Sequence, residues 1–401
     1  MRIWRVPYPK FGAGPGLERV GLVAKRLGID LAAFGAEGVI IVGSNGKGST
    51  AAMTAAALAK TGASVGLFTS PHLFSLNERF RIGDDDISDD ELEHHWDRVA
   101  AAVELAGKTQ ELGGFEFLFL ITADWFAARE VQHSVWEAGI GGRLDPVRLI
   151  EAKRVALTSL DLEHTALLGP TLEEIARDKI DAAPRGATLF VGESCLPQRG
   201  AIETHCAERG VAVQFVPAAE SAPLPGLHQR QNAALALALA RDMAPNVTAV
   251  SLATTRWPGR LEVVGEEPLV VIDVGHTPAG VAAALEGFNA MRGDRDAVLV
   301  CGASEDKDAA ALIAALAPSF STIIAAAARH KGAPAAQIAA RASAANPQAE
   351  IVVAESVTDA RRLAISRATG EMAVYVAGGL FLAAEFKAVH LGRDPALLAF
   401  F

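Results

Sequence analysis

The sequence predicts an α/β protein in two parts: a larger, mainly parallel sheet of P-loop type with helices on both faces, then a smaller Rossmann-like α/β domain. Three observations carry this. Short β-branched runs alternate with alanine- and leucine-rich helical stretches along most of the chain, the pattern of βαβ units whose strands pair in parallel. A glycine-rich segment stands directly between the first such run and the first such helix. With 401 residues, 50% hydrophobic and 21% charged, the chain is too long for one core and too apolar for disorder.

The elements follow in order. VIIV at 39–42 is the first strand, GSNGKGS the loop after it, and TAAMTAAALAK a helix closed by Gly62. Further β-like runs lie at 65–68, 134–137, 155–160 and 188–191, with helices at 89–106, 115–129 and 229–242. TTRWPGRLE then breaks the regularity, which places a hinge near Trp257 and the domains at 1–255 and 256–401. The second series alternates β runs at 269–273, 297–301, 322–326, 351–354 and 374–377 with helices starting at Ala279, Asp308, Pro334 and Asp359. No fixed-period repeat is present.

Composition narrows the function classes. Apolar runs such as 233–240 fall far short of the roughly 18 residues a membrane span needs, and the opening MRIWRVPYPK has no apolar signal core. The three cysteines form no CxxC pair, so no disulfide framework or cysteine zinc site is suggested and a cytoplasmic protein is expected. Lys plus Arg at 37 against Asp plus Glu at 47 gives a net charge of −10, a field that repels nucleic acid. Small-molecule partners and a monomer or small homo-oligomer are expected.

The loop carries the first chemical signal. Gly43, Gly46 and Gly48 let the backbone turn tightly and present its N–H groups, the helix start near Ser49 adds partial positive charge, and Lys47 adds a point charge. Together these suit a triphosphate. The spacing departs from GxxxxGK[ST], since Ile41 stands where the first glycine belongs and Gly48 separates Lys47 from Ser49. The plainer alternative is a glycine-rich turn with an exposed lysine. Glu137 ends one predicted strand and His164 lies just past another, on the edge where a parallel sheet places its ligands.

Seven segments then carry a resemblance. GSNGKGST at 43–50, TSPHLFSLNERFRI at 69–82, EAGIGGRLD at 137–145, LDLEHTALLGPTLEEIARDK at 160–179, HQRQN at 228–232, WPGRLE at 257–262 and DVGHTP at 273–278 resemble, in order, the folylpolyglutamate synthase/dihydrofolate synthase family of Mur-type ligases. The resemblance spans 16–382. It implies an ATP-dependent amide ligase: ATP phosphorylates a carboxylic acid, and the acyl phosphate is attacked by the amine of an amino acid, glutamate in the folate enzymes. ATP is needed because a carboxylate has no good leaving group until it is phosphorylated, and magnesium because phosphoryl transfer requires cations on the phosphate oxygens.

The resemblance also implies roles. ATP would be bound by Gly43, Asn45, Gly46, Lys47, Gly48, Ser49 and Thr50, with Asn232, Arg260, Asp273 and His276. Lys47, Lys179, His276 and Arg260 would be catalytic. Ser49, Ser70, Glu137 and His164 would ligate magnesium, and Lys179, if carbamylated, a second magnesium ion. His72, Arg79, Asp145 and Arg329 would meet the substrates. From the residues alone, His164 reads as a hydrogen-bonded structural histidine, and Lys179, late in a helix opened by a Thr171/Glu174 capping box, as a solvated helix-end lysine.

Departures from the family pattern gather on the substrate side. The chain reads Asp145-Pro146-Val147-Arg148 where the family continues with A-T-N, Thr277 follows His276 in place of Asn, and Gly379 replaces a serine in GGLFL. Only residues 191–225 separate Phe190 from Gly226, short of the extra strands many members carry there. The reaction type is therefore more firmly implied than the acid or the amine. Other conspicuous groups take plainer readings: Asp84–Asp86 with Asp89, Asp90 and Glu91 as a solvated face, His94 and His95 as surface residues about 100° apart on one helix, and Phe115, Phe117, Phe119, Trp125 and Phe126 as core.

Overall fold

A computed structural model describes residues 2–368 and 370–400. The first sheet comprises β1 (Gly38–Val42), β2 (Val65–Phe68), β3 (Phe80–Ile82), β4 (Asp85–Asp86), β5 (His133–Glu137), β6 (Arg154–Leu157), β7 (Thr188–Gly192) and β8 (Ala212–Val216), in the order β4-β3-β2-β5-β1-β6-β7-β8. All pairs are parallel except those of β3 with β2 and β4. β1 is apolar at every position because both its faces are covered. Ile40 and Val42 join a core with the helices Leu17–Leu27, Asp89–Leu105 and Gly114–Ala128. Val39 and Ile41 point the other way, onto the helices Lys47–Ala59 and His228–Met243. Of the expected aromatic core, Phe117, Phe119, Trp125 and Phe126 are buried, with Trp136 5.2 Å, centroid to centroid, from both Phe119 and Phe126, whereas Phe115 is only half-buried and lines a cavity.

The second sheet comprises β9 (Glu262–Glu266), β10 (Leu269–Ile272), β11 (Ala297–Cys301), β12 (Thr322–Ala325), β13 (Glu350–Val353) and β14 (Ala373–Ala377), ordered β13-β12-β11-β14-β10-β9. Only β9 runs antiparallel. Its two faces bury separate cores, one around Phe288, Phe320 and Tyr375, the other around Phe386 and Val300. The two-domain α/β architecture is thus as the sequence predicts.

Where the structure adds to that reading, the reason is physical. β3, β4, β8 and β9 went unread because they are short or lie at the sheet edges, and β8 buries only Val216 fully. The interval 191–225 holds β8 and the helix Arg199–Arg209. His95 corrects the surface reading: it is buried, with Nδ1 2.7 Å from the buried Asp124 carboxylate, while His94 is exposed. Among the described residues, no helix is long and apolar enough to cross a membrane.

Candidate active site

β1 sits at the switch point of the first sheet, between β5 and β6, where the strand order reverses and a crevice opens beyond the carboxyl ends. The loop 43–46 enters this crevice on unusual backbone. Gly43 has φ 146° and packs so closely that a Cβ there would lie 1.9 Å from Thr158 Oγ1. Gly46 has φ 86°, and a Cβ would lie 2.4 Å from Asn232 Oδ1. The residues after β6 fix the loop from beneath: Asn45 N–H donates to Ser159 Oγ at 2.8 Å, and Thr158 and Ser159 hydroxyls donate to the Asn45 carbonyl at 2.6 and 3.0 Å. The helix Lys47–Ala59 starts at once, so its first N–H groups face the crevice. Lys47 Nζ folds over the loop and donates to the Gly43 carbonyl at 2.9 Å. Buried Asn232 and Gln229 back this helix, Asn232 donating to Gln229 and Gln229 to Ser49 Oγ at 3.3 Å. Thr50 is buried with its hydroxyl unpartnered.

Glu137, opposite Ile41 in the β1–β5 register, ends its strand beside the loop. It is buried and accepts the Ser70 N–H at 2.8 Å. Burial pushes its pKa up, against the opposing pull of Lys47, the Ser70 N–H, Arg260 and Arg79. His164, with φ 46°, caps the short helix Thr165–Leu168, and burial lowers its pKa. Lys179 corrects the solvated reading: it is 1% exposed, and its Nζ donates to Glu163 at 2.8 Å. Burial alone would raise the Glu163 pKa, but Lys47 and Lys179 outweigh it and bring it down to about 2.

The second domain brings its own carboxyl edge to the same crevice. Buried Asp273, just past β10, accepts N–H groups from Gly275 at 2.7 Å and Leu261 at 3.1 Å, fixing the turns that carry His276 and Arg260. Burial, with Lys307, Arg260 and Lys47 nearby, lowers His276 to about 4, so it is a neutral imidazole at ordinary pH. Thr277 caps the helix Pro278–Arg292 and donates its hydroxyl to Asn45 Oδ1 at 3.0 Å, a direct bond from the phosphate loop to the second domain.

Beside the crevice lies a cavity of about 670 Å³ bounded by both domains, with Phe115, Leu144, Leu168, Phe381 and Phe400 as apolar wall and Lys10, Arg79 and Lys307 as cations. A smaller cleft of about 80 Å³, lined by Ser70, Glu137, Trp257, Arg260 and His276, adjoins it. Asp145 lines the cavity but is occupied: its carboxylate accepts N–H groups from Gly139, Ile140 and Val147, and burial raises its pKa to about 7. Arg79 lines the cavity and is buried, which lowers its pKa to about 10 despite Glu137 and Glu78.

Two expected substrate residues stand away from these openings. His72 lines neither opening: it is buried, with Nδ1 accepting from Arg79 Nε at 3.0 Å and Nε2 2.8 Å from the Ala399 carbonyl, and burial lowers its pKa to about 3. Arg329 is exposed and lines neither opening. Of the other expected residues, Gly48, Ser70, Arg79, Glu137, Asp145, His164, Arg260 and His276 line one or both openings. Sequence reasoning missed Lys307, Glu163, Lys10 and Phe400. The EDKD run just past β11 was the available signal for Lys307, and the acid beside His164 for Glu163.

Comparison with known proteins agrees with this geometry. The family model of the Mur ligase glutamate ligase domain matches residues 259–380. A probable bifunctional folylpolyglutamate synthase/dihydropteroate synthase of Halobacterium salinarum is 34% identical over 408 residues, covering 94% of this chain and 50% of that protein, so this chain spans about half its length. The dihydrofolate synthase/folylpolyglutamate synthase of Bacillus subtilis is 30% identical over 347 residues, covering 76% of this chain and 79% of that protein. E. coli FolC in complex with DHPP and ADP superposes with TM-score 0.86 at 28% identity over 96% of this chain and 95% of that one. A bifunctional folylpolyglutamate synthase/dihydrofolate synthase structure with Mn, AMPPNP and L-glutamate bound gives 0.82 at 28% identity, over 96% of this chain and 99% of that one. At these identities and coverages, over both domains, the chain belongs to the folylpolyglutamate synthase/dihydrofolate synthase family of Mur ligases.

Proposed function

We propose that this chain is an ATP-dependent amide ligase that joins a pteroate or folate carboxylate to glutamate through an acyl phosphate. One observation carries the reading: in a chain of net charge −10, Lys47, Arg79, Arg260 and Lys307 are gathered around Glu137 and His276, where the carboxyl edges of two sheets face each other. That is a setting for a polyanion, and the adjoining cavity is large and apolar enough for the body of an organic acid.

In this reading the loop 43–50 and Lys47 hold the triphosphate, and Arg260 reaches it from the second domain. Arg79 orients the acid, and closure of the two domains keeps water from an acyl phosphate that would otherwise hydrolyse. By donor chemistry, the buried Glu137 carboxylate, the Ser70 and Ser49 hydroxyls and the His164 imidazole would hold magnesium. The ion would supply charge neutralisation on the phosphate oxygens. Carbamylated Lys179 would hold the second ion; as an amine it is the partner of Glu163. The proposed domains, 1–255 carrying the phosphate loop and 256–401 supplying Arg260, Asp273 and His276 from across the cleft, would work together in a cytoplasmic enzyme.

A second reading, a ligase for a non-folate acid, is favoured by Pro146, Val147, Arg148 and Gly379 at positions where the family pattern differs. The test is ADP release by the purified chain with ATP and magnesium, adding dihydropteroate, tetrahydrofolate or other aromatic acids, each with and without L-glutamate. The expected result is release that needs both acid and glutamate, with product mass increased by one glutamyl residue. Release from ATP alone, indifferent to both additions, would overturn the ligase.

A further inference from the structure

We infer that the segment 398–400 is a functional wall of the acid cavity, in which Phe400 meets the body of the acid and the Ala399 carbonyl, through His72, sets the orientation of Arg79. The inference rests on the ligase reading above. Arginine nitrogens only donate hydrogen bonds, so the Arg79 Nε contact at 3.0 Å requires a lone pair on His72 Nδ1. A neutral imidazole then carries its proton on Nε2, which lies 2.8 Å from the Ala399 carbonyl. The carbonyl thus selects the only neutral tautomer that can accept from Arg79. Without it the imidazole is free to place its proton on Nδ1, against the arginine donor.

Rings hold the segment in place. Phe400 stacks on His72 at 5.7 Å and 10°, and meets Phe381 edge-on at 4.8 Å and His330 at 5.3 Å. Phe400, Phe381 and Arg79 all line the cavity, whereas His72 stands behind them. The relay also crosses the cleft. His72 and Arg79 both precede β3 of the first sheet, while 398–400 follows the turn Pro395–Leu397 after the last helix of the second domain. His72 is accordingly a positioning residue, and Phe400 a specificity-determining one.

The test uses the full chain with whichever of dihydropteroate and tetrahydrofolate supports turnover with L-glutamate. Phe400→Ala should raise KM for the acid about tenfold, the worth of one buried aromatic contact, with KM for ATP unchanged. His72→Leu should lower kcat/KM for the acid at least as much. His72→Gln, whose amide can donate to Ala399 and accept from Arg79, should restore most of it. In wild type, 15N spectra of labelled histidine should show the Nε2-protonated pattern at His72, and Phe400→Ala should mix the two tautomers. An unchanged acid KM in Phe400→Ala, equal impairment by His72→Leu and His72→Gln, or an Nδ1-protonated His72 would each overturn the inference and leave the ligase standing. Should Phe400→Ala not fold, Phe400→Leu replaces it. Turnover with neither acid would instead count against the ligase reading, and the tautomer spectrum would then decide the relay alone.

Discussion

At the phosphate end of the cleft almost every group is tied to backbone: the Gly43–Gly46 turn is pinned by Thr158 and Ser159, Lys47 rests on loop carbonyls, and Asp273 holds two turns by their N–H groups. At the acid end the walls are rings and aliphatic side chains from distant parts of the chain, with cations between them. In the proposed ligase the first end would meet a ligand of fixed shape and charge, which rigid main-chain donors suit. The second is shaped by side chains, which substitution can remould without disturbing a sheet. The departures from the family pattern fall at both ends: Pro146 lines the acid cavity, whereas Thr277, in place of the family's Asn, bonds to Asn45 of the loop.

The contrast can be broken most sharply at its rigid end. Lys47→Ala or Glu137→Ala should each cut turnover by roughly 10²–10³-fold, the usual cost of one preorganised electrostatic group, while circular dichroism and melting stay close to wild type. Wild-type-like rates in both variants would remove the assignment of that end. A smaller effect is expected where the two ends join. Thr277→Val deletes the hydroxyl bond to Asn45 and should raise KM for ATP about three- to tenfold, the net worth of one hydrogen bond, whereas Thr277→Ser should not. Equal behaviour of the two variants would show that the bond does not position the loop.

The smallest effect belongs to Asp145, on the acid side. Its pKa in the fold, about 7, lies above its ordinary 3.8, so the fold disfavours the ionised form. The stability linked to this group is fully present below the ordinary value and is lost as pH rises through 7. Asn cannot ionise, so Tm of Asp145→Asn relative to wild type should climb between pH 5 and pH 8. A flat difference across that range would mean that the three backbone donors offset burial.

Much of this was legible in sequence because it is local. β1, the loop and the helix Lys47–Ala59 are contiguous, and Glu137, His164 and Asp273 sit at or just past strand ends, which periodicity locates. What escaped depends on contacts across long separations. Lys179 reads as a solvated helix-end lysine until residue 163 folds back onto it. His72 reads as a ligand contact until a carbonyl 327 residues away comes within 2.8 Å of its Nε2. Phe400 carries no motif at all, and its place is set by three rings that are far apart in sequence.

Because the cleft draws Arg260, His276, Lys307 and Phe400 from residues beyond 255, a nascent chain paused at the hinge would display the phosphate loop with none of those groups opposite it. In the proposed ligase, translation order alone would keep the loop 43–46 and these groups apart until the residues beyond 255 have folded.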